Sequence, residues 1–226
     1  RFIFGRYGPQ SSLSNSFINY QVVQTRQDAR DYVDRLNQSG RYFRQYLERA
    51  KLAALDGIRA PFFDYELAIS EIKRVLTGHP FDGDGESVLW SDIKDKFRGL
   101  SDDLVIEEGE VDDLLVQAQD AMLREMLPAY NEVLEWLVAD LEKASGVAEG
   151  AWALPDGAAY YQHRLQQMTT TELTAREIHQ IGLQEVDRIR MEMEQIKDGV
   201  GFDGSLADFF SFLRDDDRFY YPNTDA

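Results

Sequence analysis

The chain has 226 residues, with 24 Lys+Arg against 41 Asp+Glu and a formal net charge of −17. That balance argues against a nucleic-acid partner or an anionic membrane surface, because both are held mainly by cationic side chains. No apolar run approaches the ~18 to 20 residues needed to span a bilayer, and zero cysteines remove disulfides, thiolate metal sites and Cys nucleophiles together.

Residues 1–24 carry Gly5, Gly8, Pro9 and a Ser/Asn cluster and read as an irregular entry segment. Thr25 and Asp28 form a capping signature, and apolar positions three or four apart (Tyr32, Val33, Leu36, Phe43, Leu47, Ala50) predict one helix to about Ala54, with Gly40 its weak point. After Asp56-Gly57, a second helix runs from near Pro61 to Leu76 and stops at Gly78. The stretch His79–Gly85 reads as a loop, and a short helix is expected over Ser91–Arg98.

The longest periodic segment runs from about Glu107 to Ser145, through Val111, Leu114, Leu115, Ala118, Met122, Met126, Tyr130, Val133, Leu137 and Leu141. Pro128 interrupts it, so a kink or a break is expected there. Beyond the turn at Leu154–Gly157, the best specified helix starts at Thr174 with Glu177 completing a capping box. Ile178, Gly182, Val186, Ile189, Met193 and Ile196 form its single apolar stripe, and Gly199 ends it. Ser205 and Asp208 open a final short helix rich in Phe. No β-alternation appears, so the fold class is all-α, built of long antiparallel helices. The expected organisation is an entry segment over 1–24, helical hairpins over 25–145 and a motif-rich helical part over 156–221.

The chemistry is sparse. A helical zinc protease needs two His four residues apart with a Glu between them, but positions 83, 167 and 183 after His79, His163 and His179 are Gly, Gln and Leu. The acidic run Asp82, Asp84, Glu86 lacks the Gly and the terminal Glu of a calcium loop. Glu107/Glu108 and Asp112/Asp113 suit the first turn of a helix. Tyr160, Tyr161 and His163 are the substrate-cleft candidates, since aromatic and imidazole groups gather there beside Arg164. No catalytic residue and no metal ligand is assigned within the chain. Phe219-Tyr220-Tyr221 needs a partner surface, because each ring buries a large apolar area. That requirement favours a segment of a longer polypeptide, one that exposes apolar surface and self-associates when isolated.

From Leu154-Pro155-Asp156-Gly157 onward the wording is specific. Tyr160-Tyr161, His163-Arg164-Leu165, Thr169-Thr170-Thr171, Leu173-Thr174, Glu177-Ile178-His179, Gly182-Leu183, Phe212-Leu213-Arg214 and Arg218-Phe219-Tyr220-Tyr221 follow in order. Together with Gln10-Ser11-Ser12-Leu13 they resemble the bacterial family called domain of unknown function 885, over nearly the whole chain. Asp217 departs from it, since family members often carry Pro there. The resemblance implies a metallopeptidase-like protein similar to the deep-cleft helical zinc peptidases, of which this chain is the N-terminal and middle part. It implies a His-Glu zinc segment well downstream, so zinc is expected in the parent protein and none is bound by this segment. The remaining C-terminal chain would be the partner, with a peptide as substrate, in an exported, periplasmic or lipoprotein-like protein. The alternative from the residues alone is a non-enzymatic helical binding module.

Overall fold

The computed structural model describes residues 2–83, 85–102, 105–147 and 149–221. Ten α-helices and no strand occur among the described residues: α1 (Pro9–Tyr20), α2 (Arg26–Asn37), α3 (Ser39–Leu55), α4 (Phe62–Val75), α5 (Val88–Asp102), α6 (Glu108–Ala121), α7 (Leu127–Leu141), α8 (Gly157–Thr169), α9 (Ala175–Gly199) and α10 (Leu206–Asp215). The all-α class read from periodicity is therefore the observed one. The chain divides into two compact units, Arg1–Pro155 and Asp156–Ala226.

In the first unit α6 and α7 form the central rod. α5 and α2 pack against α6, while α3 and α4 pack against α7. The apolar positions spaced three and four apart do what their spacing requires: Leu36, Phe43, Ile72, Ile93, Phe97, Met122, Met126 and Tyr130 are fully buried. Aromatic rings tie the layers together, with Phe43 and Tyr130 at 4.3 Å between centroids and the Phe97 ring edge-on to Tyr32 at 5.6 Å.

Three local outcomes differ from the sequence reading. Residues 9–20 form α1 although Ser11, Ser12, Ser14, Asn15, Ser16 and Asn19 are poor helix formers. Tertiary partners supply what propensity does not. Phe17 is buried, the Tyr130 hydroxyl donates to the Gln10 carbonyl at 2.8 Å, and Lys96 Nζ donates to the Phe17 and Ile18 carbonyls near the helix end. The helix expected over 25–54 is two helices, broken at Gln38 in the polar run Asn37-Gln38-Ser39-Gly40. Gly40 then lies against α7's approach: a Cβ there would stand 2.5 Å from Glu125 Oε2 and 3.1 Å from the Glu125 carbonyl. α5 begins earlier than Ser91, because Ser87 Oγ accepts from the Trp90 N–H at 3.3 Å and so caps the helix start, and it runs past Arg98 to Asp102.

The interruption at Pro128 is expressed as a wide turn. Residues Met122–Met126 form a π-helical turn in which the Leu127 N–H bonds to the Met122 carbonyl, and Pro128 occupies the second position of α7. At that position its missing donor is not needed. Gly78 adopts φ +89°, and a Cβ there would lie 2.5 Å from the Ser87 backbone nitrogen, so only glycine fits the start of the 79–87 loop. Asp82 accepts the Gly78 N–H at 2.6 Å; Asp84, the middle member of the acidic run, lies outside the described residues.

The second unit contains α8, α9 and α10. Both capping boxes read from the sequence are present, Thr174 with Glu177 and Ser205 with Asp208. α10 packs on α9, and Lys197 Nζ donates to the Gly204 carbonyl at 2.9 Å. Phe202, Phe209, Phe212 and Phe219 form an aromatic cluster, with the Arg218 guanidinium 5.1 Å above the Phe212 ring.

Candidate functional site

The candidate residues lie on α8. Tyr160 and His163 are three apart and share one helix face, whereas Tyr161 points about 100° away around the axis. All three are exposed, Tyr160 at 39% and Tyr161 at 50%. α8 is bounded by left-handed residues at both ends, Asp156 at φ 54° and Thr170 at φ 56°. The threonine run is a hydrogen-bonded turn: Thr169 Oγ1 donates to the Leu165 carbonyl at 2.8 Å and lies 2.9 Å from Thr171 Oγ1. Gln162 Nε2 donates to the Leu173 carbonyl at 3.0 Å and Gln166 Nε2 to Glu172 at 2.8 Å, fixing the route from α8 into α9. The run Thr169-Thr170-Thr171 is thus accounted for by chain reversal. What remains for recognition is an open face carrying one phenol and one imidazole, suited to contacting a ligand and not to enclosing one.

The Arg-Phe-Tyr-Tyr stretch is held in a similar way. Asp216 accepts two hydrogen bonds from the Arg218 guanidinium, at 2.9 and 2.8 Å, and a third from its backbone N–H at 3.0 Å. Those bonds hold the Asp216 carboxyl at about 2. A short 3-10 turn starts at Asp217, the position where the resembled family often has Pro.

The strongest polar site in the first unit was not singled out from sequence. Asp140, 3% exposed, accepts from Arg59 Nε and Nη2 at 3.1 and 3.2 Å and from the Tyr65 hydroxyl at 2.7 Å. Burial pushes the Asp140 carboxyl up, but Arg59 and Tyr65 outweigh it and hold the group below the usual range. Burial and the neighbouring carboxylate push the Tyr65 phenol well up. With both oxygens hydrogen-bonded, Asp140 clamps the α3–α4 connection and α4 onto α7. The available signal was position: Asp140 falls on the stripe of Val133, Leu137 and Ala144, where a carboxylate must find a cation.

A second buried polar group surrounds Gln10, whose Nε2 donates to the Gly5 carbonyl at 2.7 Å and to Glu71 Oε2 at 2.9 Å. It ties α1 to α4, as Tyr130 ties α1 to α7. The described residues contain no group of three His, Cys, Asp or Glu side chains able to hold a metal ion. His79 lies edge-on to Trp90 at 5.7 Å in the first unit, while His163 and His179 belong to α8 and α9 of the second. No helix among the described residues is long and apolar enough to cross a membrane.

A family profile described as bacterial protein of unknown function (DUF885) matches residues 3–226. No curated protein matches the chain. Among solved structures, that of "the putative lipoprotein from Colwellia psychrerythraea" is similar, with 25% identity and a TM-score of 0.78. The match covers 99% of this chain and 37% of that one, so the chain spans a little over a third of its neighbour's length.

Proposed function

The chain belongs to the DUF885 family of bacterial proteins of unknown function, and from that membership we propose that it is the N-terminal helical portion of a zinc-dependent, peptidase-like hydrolase. It forms a wall of the substrate cleft and does not perform bond cleavage by itself. The observation carrying the division of labour is the coverage: a fold matched over 99% of this chain fills only 37% of a solved relative. The hydrolase assignment rests on the metallopeptidase-like character implied by the motif string from Leu154 to Tyr221.

On this reading the metal and the general base belong to chain outside these residues, and no step through zinc is derived from the side chains present. The contribution of this portion is positioning. Tyr160 and His163 offer an exposed aromatic and imidazole pair on one face of α8, with Tyr161 beside them, for an extended peptide to lie against. The lipoprotein designation of the solved neighbour supports an exported location.

The test is metal analysis and peptide cleavage on the full-length gene product. One zinc per chain, with cleavage of an unstructured peptide library that a chelator abolishes, is the expected result. Tyr160→Ala and His163→Ala should raise KM several-fold and leave the zinc content alone. A product without stoichiometric zinc and without cleavage would refute the hydrolase reading and favour a helical binding module.

A further inference from the structure

α9 is 25 residues long and none of them is buried. Its apolar stripe is open to solvent along the length of the helix: Val186 is 63% exposed, Ile189 40%, Met193 37% and Ile196 60%. Throughout the described part of 156–221, Phe209 is the one large apolar side chain that is buried. The polar flank of the stripe is already self-paired, since Arg188 bridges Glu185 and Glu192 at 2.8 and 2.6 Å. A helix with this pattern gains its stability from packing its apolar face and not from propensity. An exposed contiguous face of this kind marks a contact surface.

We propose that the α9 stripe is the seat of a further apolar-faced segment of the same polypeptide, lying outside residues 1–226. Coverage is the first argument. The neighbour shares this fold over 99% of the present chain, yet nearly two thirds of the neighbour lies outside the matched region. Charge is the second argument, because a second copy would bring another −17 against the first. The proposal rests on the reading above only in taking the chain as part of a longer protein.

The absence of cysteine makes the test direct. Single cysteines are placed on the stripe (Val186→Cys, Ile189→Cys, Ile196→Cys) and, as controls, on the opposite face (Gln184→Cys, Asp187→Cys). Thiol labelling at each position is timed by mass spectrometry, in the full-length protein and in the 226-residue chain. In the full-length protein the stripe positions should label about tenfold or more slowly than the controls, and in the 226-residue chain as fast as the controls. Equal rates on both faces of the full-length protein would overturn the proposal. So would a reading frame ending at Ala226, or stripe protection already present in dilute 226-residue chain, where another part of the same chain would be the cover. In the full-length protein, protection that grows with concentration would assign the face to a second copy and overturn it too. Zinc content and cleavage are read on the same samples. A protected stripe without either leaves this inference standing and removes the hydrolase reading, and an active zinc enzyme with an open stripe does the reverse.

Discussion

Replacing Asp140 by Ala removes the acceptor that three donors share. The Tyr65 hydroxyl, 2.7 Å from the carboxylate, would lose its partner in a buried setting, at a cost of about 1–3 kcal/mol. Arg59 loses an ion pair, but its side chain is 27% exposed, so water recovers much of the loss and about 1 kcal/mol is appropriate. The sum is about 2–4 kcal/mol, below the ~3–5 kcal/mol of a fully enclosed pair. With a urea m-value of about 2 kcal/mol/M, the midpoint should fall by about 1–2 M. Trp136 reports the transition, since its ring lies 6.4 Å from that of Tyr65. Asp140→Asn keeps an acceptor and should lose less than half as much. The pH dependence follows from the sign of the shift. A carboxyl held below its unfolded value of 3.8 stabilises the fold above that pH, and the contribution disappears as pH falls through the lower folded value. The gap between wild type and Asp140→Ala should therefore be constant from neutral pH to about 5 and close under stronger acid. A loss below about 0.5 kcal/mol at neutral pH, or a gap that widens in acid, would refute the clamp.

Three further substitutions probe other contacts. Gly40→Ala should be nearly neutral in urea denaturation, since a propensity gain of about 1 kcal/mol offsets crowding against the Glu125 carbonyl at 3.1 Å. Gly40→Leu, which has no such room, should lose about 2–3 kcal/mol. Lys96→Met removes the donor to the Phe17 and Ile18 carbonyls and should speed hydrogen exchange in α1 about tenfold while leaving α6 unchanged. Thr174→Ala removes a cap worth about 1 kcal/mol. Because α9 in the 226-residue chain buries none of its residues, that loss should appear as faster exchange over its first turns, with no change in the transition of the first unit.

The parts of the fold visible in the sequence are those fixed by short-range physics. The caps at Thr25, Thr174 and Ser205, the apolar stripes of α6 and α7 and the interruption by Pro128 depend on residues within a few positions of one another, and each is where the pattern puts it. α1 was hidden because its stability comes from partners 79 to 120 positions away, Lys96 and Tyr130. The break at Gln38 was hidden for a related reason: the apolar spacing continues across it, and the close approach of Gly40 to Glu125 is a tertiary contact. Asp140 shows the converse limit. A carboxylate in an apolar stripe is visible in the sequence, but which of 24 Lys and Arg residues meets it is a property of the tertiary fold. For α8 the sequence shows aromatic, imidazole and basic side chains within five positions, but only helix geometry separates Tyr161 from the face shared by Tyr160 and His163.

The π-helical turn before α7 has a consequence for how the chain tolerates changes in length. A π turn holds one residue more than the α-helical turn it replaces, so losing one residue within 122–126 would restore ordinary helix and leave Tyr130, Val133 and Leu137 aimed at the core. A deletion elsewhere along the rod would swing everything downstream by about 100° and carry Asp140 out of reach of Arg59. Losing the residue within 122–126 would also return Pro128 to a position where its ring meets the carbonyl four residues before it, so the spare residue and the proline should be gained or lost together.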